Sequence, residues 1–252
     1  MTYPIYIPSK GRAQQTTTIP LLLNEGLEIN IVVEEEDYDN YNKEFGENSK
    51  VNILVLDKSN EGVYYTRNFC KEQAKDYKFH WQIDDNIKTF RRRVDNKNIK
   101  CSFLEIKEEM EEFSKKYSNI GMLSVIQSVW AYTKKTDYTY NVPGSSCMLI
   151  ATDNDCWFNK GLIDDTDFNI QLLEKELCVV LFNRLLMDKV RSKKMSGGNT
   201  EHYESTKNKD RVDNMVKKYP GFFKMKVDKY GVCRTRTLIR WKVKFPQNLI
   251  EL

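Results

Sequence analysis

With 252 residues, 40% hydrophobic and 30% charged, the chain can bury one large core and reads as a globular protein of the aqueous phase. No apolar run approaches the ~20 residues a membrane-spanning helix needs, and no leader-like segment opens the sequence, so a cytoplasmic protein without a membrane span is expected. The net charge of +4 is uneven: residues 189–244 hold 17 Lys and Arg against five Asp and Glu, while the remainder is net acidic. That asymmetry fits a polyanionic partner, and a solvated lysine-rich surface reads the same way. Six scattered cysteines without a CxxC pair argue against a zinc site or a disulfide scaffold. With only His80 and His202 present, a histidine-rich metal site or a Ser-His-Asp triad is not expected.

Residues 3–7 are short, β-branched and aromatic, and read as a first buried strand. It runs into Pro8-Ser9-Lys10-Gly11-Arg12, which puts two cations just beyond a strand's carboxyl end, where open α/β sheets bind ligands. A helix over 16–25 stops at Gly26, and a strand over 29–33 closes on the acidic run Glu34-Glu35-Glu36-Asp37. Further strands are expected over 52–56 and 79–83, with a helix over 63–76 between them carrying Arg67 and Asn68. This order predicts an α/β fold with a mixed, mainly parallel sheet flanked by helices.

The middle is less regular. Arg91-Arg92-Arg93 reads as a basic knot in a polar loop, and 103–117 as an amphipathic helix. Strands follow over 122–128 and 146–151, separated by an aromatic-rich loop containing Trp130, Tyr132, Tyr138 and Tyr140. Those rings suit stacking on a base or sugar, or simply core packing. A helix opens at Asp164-Asp165, a strand covers 178–183, and 189–210 reads as a loop with Ser196-Gly197-Gly198-Asn199. Beyond a helix over 211–218, alternating basic and apolar residues through Lys244 suggest strands with one cationic face. The chain is expected to be one unit, with a core over 1–190 and a basic extension over 191–252 packed on it.

Two acidic clusters carry the chemistry. His80-Trp81-Gln82-Ile83 brings the chain inward, and Asp84-Asp85-Asn86 then presents oxygens suited to a hard divalent cation, magnesium or manganese. Asp-Asp-Asn is also ordinary turn chemistry. Ile163-Asp164-Asp165-Thr166-Asp167 opens a helix, where carboxylates offset the macrodipole. A carboxylate there that faces a cleft would instead serve as a general base.

In order, IPSKGR, GVYYTRNFCKEQA, QIDDN and IDDTDFNIQLL resemble the motif series of GT-A glycosyltransferases, over roughly 3–173. HWQIDDNI, the late SGGN and YPGF resemble the TET-associated, phage-type branch. The resemblance implies a GT-A, Rossmann-like fold and transfer of a sugar from a nucleotide sugar, UDP-linked, onto a hydroxymethylated pyrimidine in DNA. It implies Asp165 as the base of an inverting reaction, and Asp84, Asp85 or Asn86 as holders of Mn or Mg. His202, after the Gly-Gly-Asn segment, reads as a third metal ligand, as a group that closes over the phosphates, or as a solvent-exposed loop histidine. The donor falls to Pro8, Ser9, Lys10, Gly11, Arg12, Glu34, Arg67, Asn68 and Asp84. The acceptor falls to Trp130, Tyr140, Asp164, Gly197, Gly198 and Asn199, and the nucleic-acid backbone to Arg234, Arg236, Arg240 and Lys242.

Two positions depart from the family pattern. Asn86 stands where the metal motif usually has an acid, and Gln171 where the base motif has an arginine. Rival readings are a GT-A enzyme for a glycan, lipid or protein acceptor, a nucleotidyltransferase, and a non-catalytic DNA-binding domain.

Overall fold

The computed structural model describes residues 3–190, 195, 197 and 208–252. Strands β1 (Ile5–Pro8), β2 (Ile29–Val33), β3 (Val51–Val55) and β4 (Phe79–Ile83) run parallel in the order β3-β2-β1-β4. All five residues of β4 are buried. Phe79, Trp81 and Ile83 join the main core, while the alternating His80 and Gln82 are buried with their polar atoms paired to Thr152, to the Arg67 carbonyl and to each other. The sheet continues from β4 through β9 (Cys147–Ala151), β7 (Ile120–Gln127) and β10 (Cys178–Lys189) to the hairpin of β5 (Ile87–Val94) and β6 (Lys97–Cys101). Strand β9 opposes both of its neighbours, β7 and β10 are again parallel, and β8 (Tyr138–Tyr140) pairs with β10.

Helices α1 (Thr18–Asn24), α2 (Tyr38–Phe45), α3 (Val63–Gln73) and α4 (Phe103–Ser114) flank the sheet, followed by the single turn α5 (Ser128–Ala131) and by α6 (Asp164–Glu174). Trp81 is fully buried against Phe103 of α4, and its indole N–H donates to Glu111 at 2.9 Å, so the largest core ring leaves no polar atom unmet. No side chain caps the start of α1. The Asp85 carbonyl accepts instead from the Thr17 and Thr18 amides and the Thr16 hydroxyl, clasping the turn after β4 onto this helix.

After Asn208 the chain forms α7 (Lys209–Lys218), a separate hairpin of β11 (Phe223–Val227) and β12 (Cys233–Thr237), and the turn α8 (Trp241–Lys244). Phe222, Phe223, Trp241 and Phe245 pack as one aromatic group with Met215 in the same cluster as Phe168 and Leu172 of α6. The tail then returns to the sheet, where Asn141 donates to the Phe245 and Gln247 carbonyls. Five of the six cysteines are buried and all six are free.

Four expectations change. The acidic run after β2 leads into α2, a helix that buries only Tyr41 and so leaves no apolar periodicity to read. Arg91, Arg92 and Arg93 lie on β5, because each has a distant partner: Asp188, Glu109 and the Ala131 carbonyl. Strand β10 runs six residues past Asn183, since Leu185, Leu186 and Met187 are still core. Lys242 and Lys244 lie on α8, beyond the hairpin, so the cationic face ends at Arg236.

Candidate active site

A cleft of about 1380 Å³ opens where β1 and β4 end and α6 begins, with the β11-β12 hairpin on its far side. Ligand pockets usually hold roughly 300–1,000 Å³, so this one has room for two substrates. Lys10, Arg12, Arg67, Asp84, Asp165 and Lys189 all line it.

The loop after β1 is held rigidly. Gly11 takes φ +63°, a left-handed conformation that glycine adopts without strain, and donates its N–H to Asp37 at 2.8 Å. Lys10 Nζ lies 2.5 Å from Glu34 and 2.6 Å from the Asn60 side-chain oxygen. Glu34 is buried and also accepts from the Asn60 backbone N–H, so it works first as the anchor for Lys10. Arg12 meets Asp85 at 2.9 Å and donates to the Gly197 carbonyl at 3.0 Å. Gly197 approaches so closely that a Cβ there would lie 2.6 Å from the Lys10 carbonyl oxygen.

The acidic motif divides its duties. Asp84 accepts from Arg67 at 3.0 Å and from Lys189 at 2.6 Å. Burial pushes its pKa up, but Lys189 and Arg67 outweigh it and hold the carboxyl well below the usual range. Asp85 turns away to accept from Ser9 at 2.6 Å and from Arg12, so it braces the β1 loop rather than offering a free oxygen to a cation. Burial raises its pKa in spite of those partners. The Asn86 side-chain oxygen is buried without a hydrogen-bond partner, and Asn86 lines the cleft beside Asp84.

Among the described residues no three His, Cys, Asp or Glu side chains converge on one point. A hard cation that keeps water and phosphate oxygens as most of its ligands still fits, with Asn86 Oδ1 as the unclaimed protein oxygen and Asp84 as the charged one.

The second acidic motif starts α6. Asp164 lies 2.5 Å from Arg211 and 3.4 Å from Arg67, so Arg67 spans both motifs. Asp165 instead faces the cleft, accepts from the Thr166 N–H at 2.7 Å, and has no ion pair among the described residues. Burial first, then the neighbouring Asp164 charge, raise its pKa to about 6. Asp167 is fully buried, where Lys218, Tyr219, Asn159 and Gln171 fix α6 to α7. That gives Gln171, the departure from the family arginine, a structural partner.

Some candidates lie elsewhere. Asn68 donates to the Phe158 carbonyl and accepts from the Phe158 N–H, so its amide ties α3 to the loop before α6 and does not line the cleft. Tyr140 lies on β8 with Lys242 over its ring, away from the cleft wall. Trp130 rims a smaller adjoining hollow. Arg234 lines the cleft, whereas Arg236, Arg240 and Lys242 are exposed outside it. Gly198, Asn199 and His202 lie outside the described residues.

Lys189 and Arg211 escaped the sequence reading. Only the apolar Leu185-Leu186-Met187 run hinted that a strand carries Lys189 inward.

The chain matches the family described as TET-Associated Glycosyltransferase over residues 3–198. It belongs to that family. This TET-associated glycosyltransferase has the mixed α/β fold expected, and among solved structures it is similar to GalNAc-T7 with UDP, GalNAc and Mn2+. There the TM-score is 0.51 at 9% identity, over 76% of this chain and 44% of that one, so the chain spans less than half of that relative. A UDP-glucose pyrophosphorylase complexed with UDP-glucose gives a TM-score of 0.47 at 9% identity, over 87% of this chain and 100% of that one. No curated protein matches. No helix among the described residues is long and apolar enough to cross a membrane.

Proposed function

We propose that the protein transfers a sugar from a nucleotide sugar, UDP-linked, to a hydroxymethylated pyrimidine in DNA, with Asp165 as the base of an inverting displacement. One observation carries this reading. A carboxyl with a pKa of about 6 and no ion pair among the described residues shares a cleft with a wall of cations suited to a diphosphate.

Lys10, Arg12 and Lys189 would meet the nucleotide and its phosphates, and Arg67 keeps Asp84 charged beside them. A magnesium or manganese ion held by Asp84 and Asn86 would supply charge stabilisation on the leaving diphosphate. Asp165 would take the proton of the acceptor hydroxyl as its oxygen attacks the anomeric carbon, and the glycosidic bond to the diphosphate breaks on the opposite face. His202 remains a candidate third ligand, and Gly197, Gly198 and Asn199 candidate acceptor contacts.

The hairpin supports an anionic acceptor. Lys224 faces Arg236 and Lys226 faces Arg234 across β11 and β12, like charges in direct opposition, and a phosphate backbone would relieve that repulsion. Arg240 and Lys242 would extend the same contact.

The test is a panel of nucleotide sugars with Mn or Mg and hydroxymethylated DNA. Release of nucleoside diphosphate together with glycosylated DNA is expected. Pyrophosphate as the product, or transfer to oligosaccharides alone, would overturn the reading.

A further inference from the structure

Two buried polar side chains of β4 have no part in the chemistry above. His80 and Gln82 alternate with core residues and are 0% exposed, and neither lines the cleft. We propose that they are positioning residues: Gln82 claims one arm of the Arg67 guanidinium so that this cation stays shared between the two acidic motifs, and His80 fixes which way round the Gln82 amide sits. The inference rests on Asp165 being the base, and adds how a fixed cation sets that base's charge.

The guanidinium has three nitrogens and three different neighbours. Nη2 donates to Asp84 at 3.0 Å, Nη1 donates to the Gln82 side-chain oxygen at 3.3 Å, and Nε lies 3.4 Å from Asp164 without a hydrogen bond. The ring of Phe158 covers the cation, with its centroid 5.6 Å from the guanidinium carbon. A guanidinium left to itself grips one carboxylate with two parallel N–H groups, which is the strongest pairing open to it. Without Gln82, Arg67 would be free to close on Asp84 through Nη1 and Nη2. Because Gln82 occupies Nη1, the positive charge remains between Asp84 and the start of α6.

The amide works in one orientation only. Its nitrogen donates to the Arg67 carbonyl at 2.9 Å and to His80 Nε2 at 3.0 Å, which uses both of its hydrogens, and its oxygen faces the guanidinium. Turned over, it would aim N–H groups at a cation and set its oxygen against a carbonyl oxygen. His80 Nε2 must therefore accept, so the ring proton sits on Nδ1 and is donated to the Thr152 hydroxyl at 2.9 Å. An imidazolium would place an N–H against the Gln82 N–H, and the ring has to stay neutral. Burial first, and then the Lys71 ammonium on α3, lower its pKa to about 3. Tyr6 of β1 meets the ring edge-on.

Arg67 matters to the base because three charged groups act on Asp165. Asp164 on the same helix raises its pKa, while Arg67 from α3 and Arg211 from α7 lower it, Arg67 more strongly. A guanidinium released toward Asp84 would withdraw part of that opposing charge and leave the base harder to ionise.

The test reads Asp165 directly. Carboxyl carbon-13 NMR follows its titration, with the signal assigned by its absence in Asp165→Asn. Gln82→Met keeps the volume and removes both ends of the amide. Its Asp165 midpoint should rise from about 6 by roughly half a pH unit or more. His80→Leu should raise the midpoint too, whereas His80→Gln, whose oxygen can accept from Gln82 in place of Nε2, should keep the parental value. In Gln82→Met kcat should fall below pH ~7 and return to within about twofold of the parent near pH ~9, where the base is ionised in both. A merely structural role would lower kcat by one factor at every pH and leave the midpoint in place. Nitrogen-15 NMR of the histidine rings checks the wiring. His80 should stay neutral with its proton on Nδ1 down to about pH 5, and should carry it on Nε2 in Gln82→Glu, which has no N–H to donate. An unchanged Asp165 midpoint in Gln82→Met would overturn the proposal. So would a parental His80 protonated on Nε2, a result that needs no variant to fold. If the parent turns over no nucleotide sugar, the transferase reading fails, and the Asp165 and His80 titrations still decide whether these two residues place Arg67.

Discussion

Asp84, Asp85, Asp164 and Asp165 show how four similar carboxyls acquire different duties from their surroundings. Three are held by arginine or lysine, while Asp165 has a pKa near 6 and no ion pair among the described residues. Asp165→Asn is expected to lower kcat by about 10²–10⁴-fold with the fold intact. The parent's kcat should climb with pH through about 6 and then level off, since the base must be ionised to act. Stability should move the other way. Because the folded carboxyl binds its proton more tightly than the unfolded one, raising the pH from about 4 to 6 favours unfolding. At pH 7 the Tm of Asp165→Asn should therefore exceed the parent's, and near pH 3.5 the two should coincide. A flat pH profile, or a variant less stable at pH 7, would contradict this assignment. The paired acids were visible in the sequence, but their division of labour was not. It depends on Arg67, Lys189 and Arg211, which lie 17, 105 and 47 positions from the carboxylates they hold.

The elements were legible wherever burial writes a pattern. Strands β2 and β4 fall on the residues their apolar runs predict, and α3 and α6 begin where Gly62 and the acidic turn place them. The β5-β6 hairpin was not legible, because three consecutive arginines look solvated until Asp188, Glu109 and the α5 turn arrive from elsewhere in the chain. The loop after β1 makes a test at this scale. In Gly197→Ala the new methyl would meet the Lys10 carbonyl, and φ +72° would be strained as well. Donor Kd, measured by calorimetry, is expected to rise roughly tenfold with little change in Tm. An unchanged Kd would mean that this contact does not shape the donor loop.

Across the whole molecule the charge asymmetry becomes a spatial one. The acidic part forms most of the sheet and one wall of the cleft, and the basic part forms the hairpin on the cleft's far side, with Arg234 reaching the cleft and Lys224, Lys226 and Arg236 exposed beside it. The composition fitted a polyanionic partner or a solvated lysine-rich surface, and the alternation in the tail suggested strands with one cationic face; the hairpin register pairs Lys224 with Arg236 and Lys226 with Arg234 on that face. If DNA is that partner, its affinity should fall linearly with salt on logarithmic axes. Replacing Arg234 and Arg236 together with Ala should make that slope shallower by about 1.4–1.8, at ~0.7–0.9 per phosphate contact. An unchanged slope would place the DNA elsewhere on the surface.

The irregularity between Asp188 and Lys189 in β10 decides which of two adjacent, opposite charges faces Asp84. Inserting one residue within 185–188 would turn every later side chain to the other face and tend to exchange an ammonium for a carboxylate beside Asp84. A length change at the exposed Asp95-Asn96 turn should therefore leave donor binding intact, whereas one in the last third of β10 should abolish it even where the protein still folds.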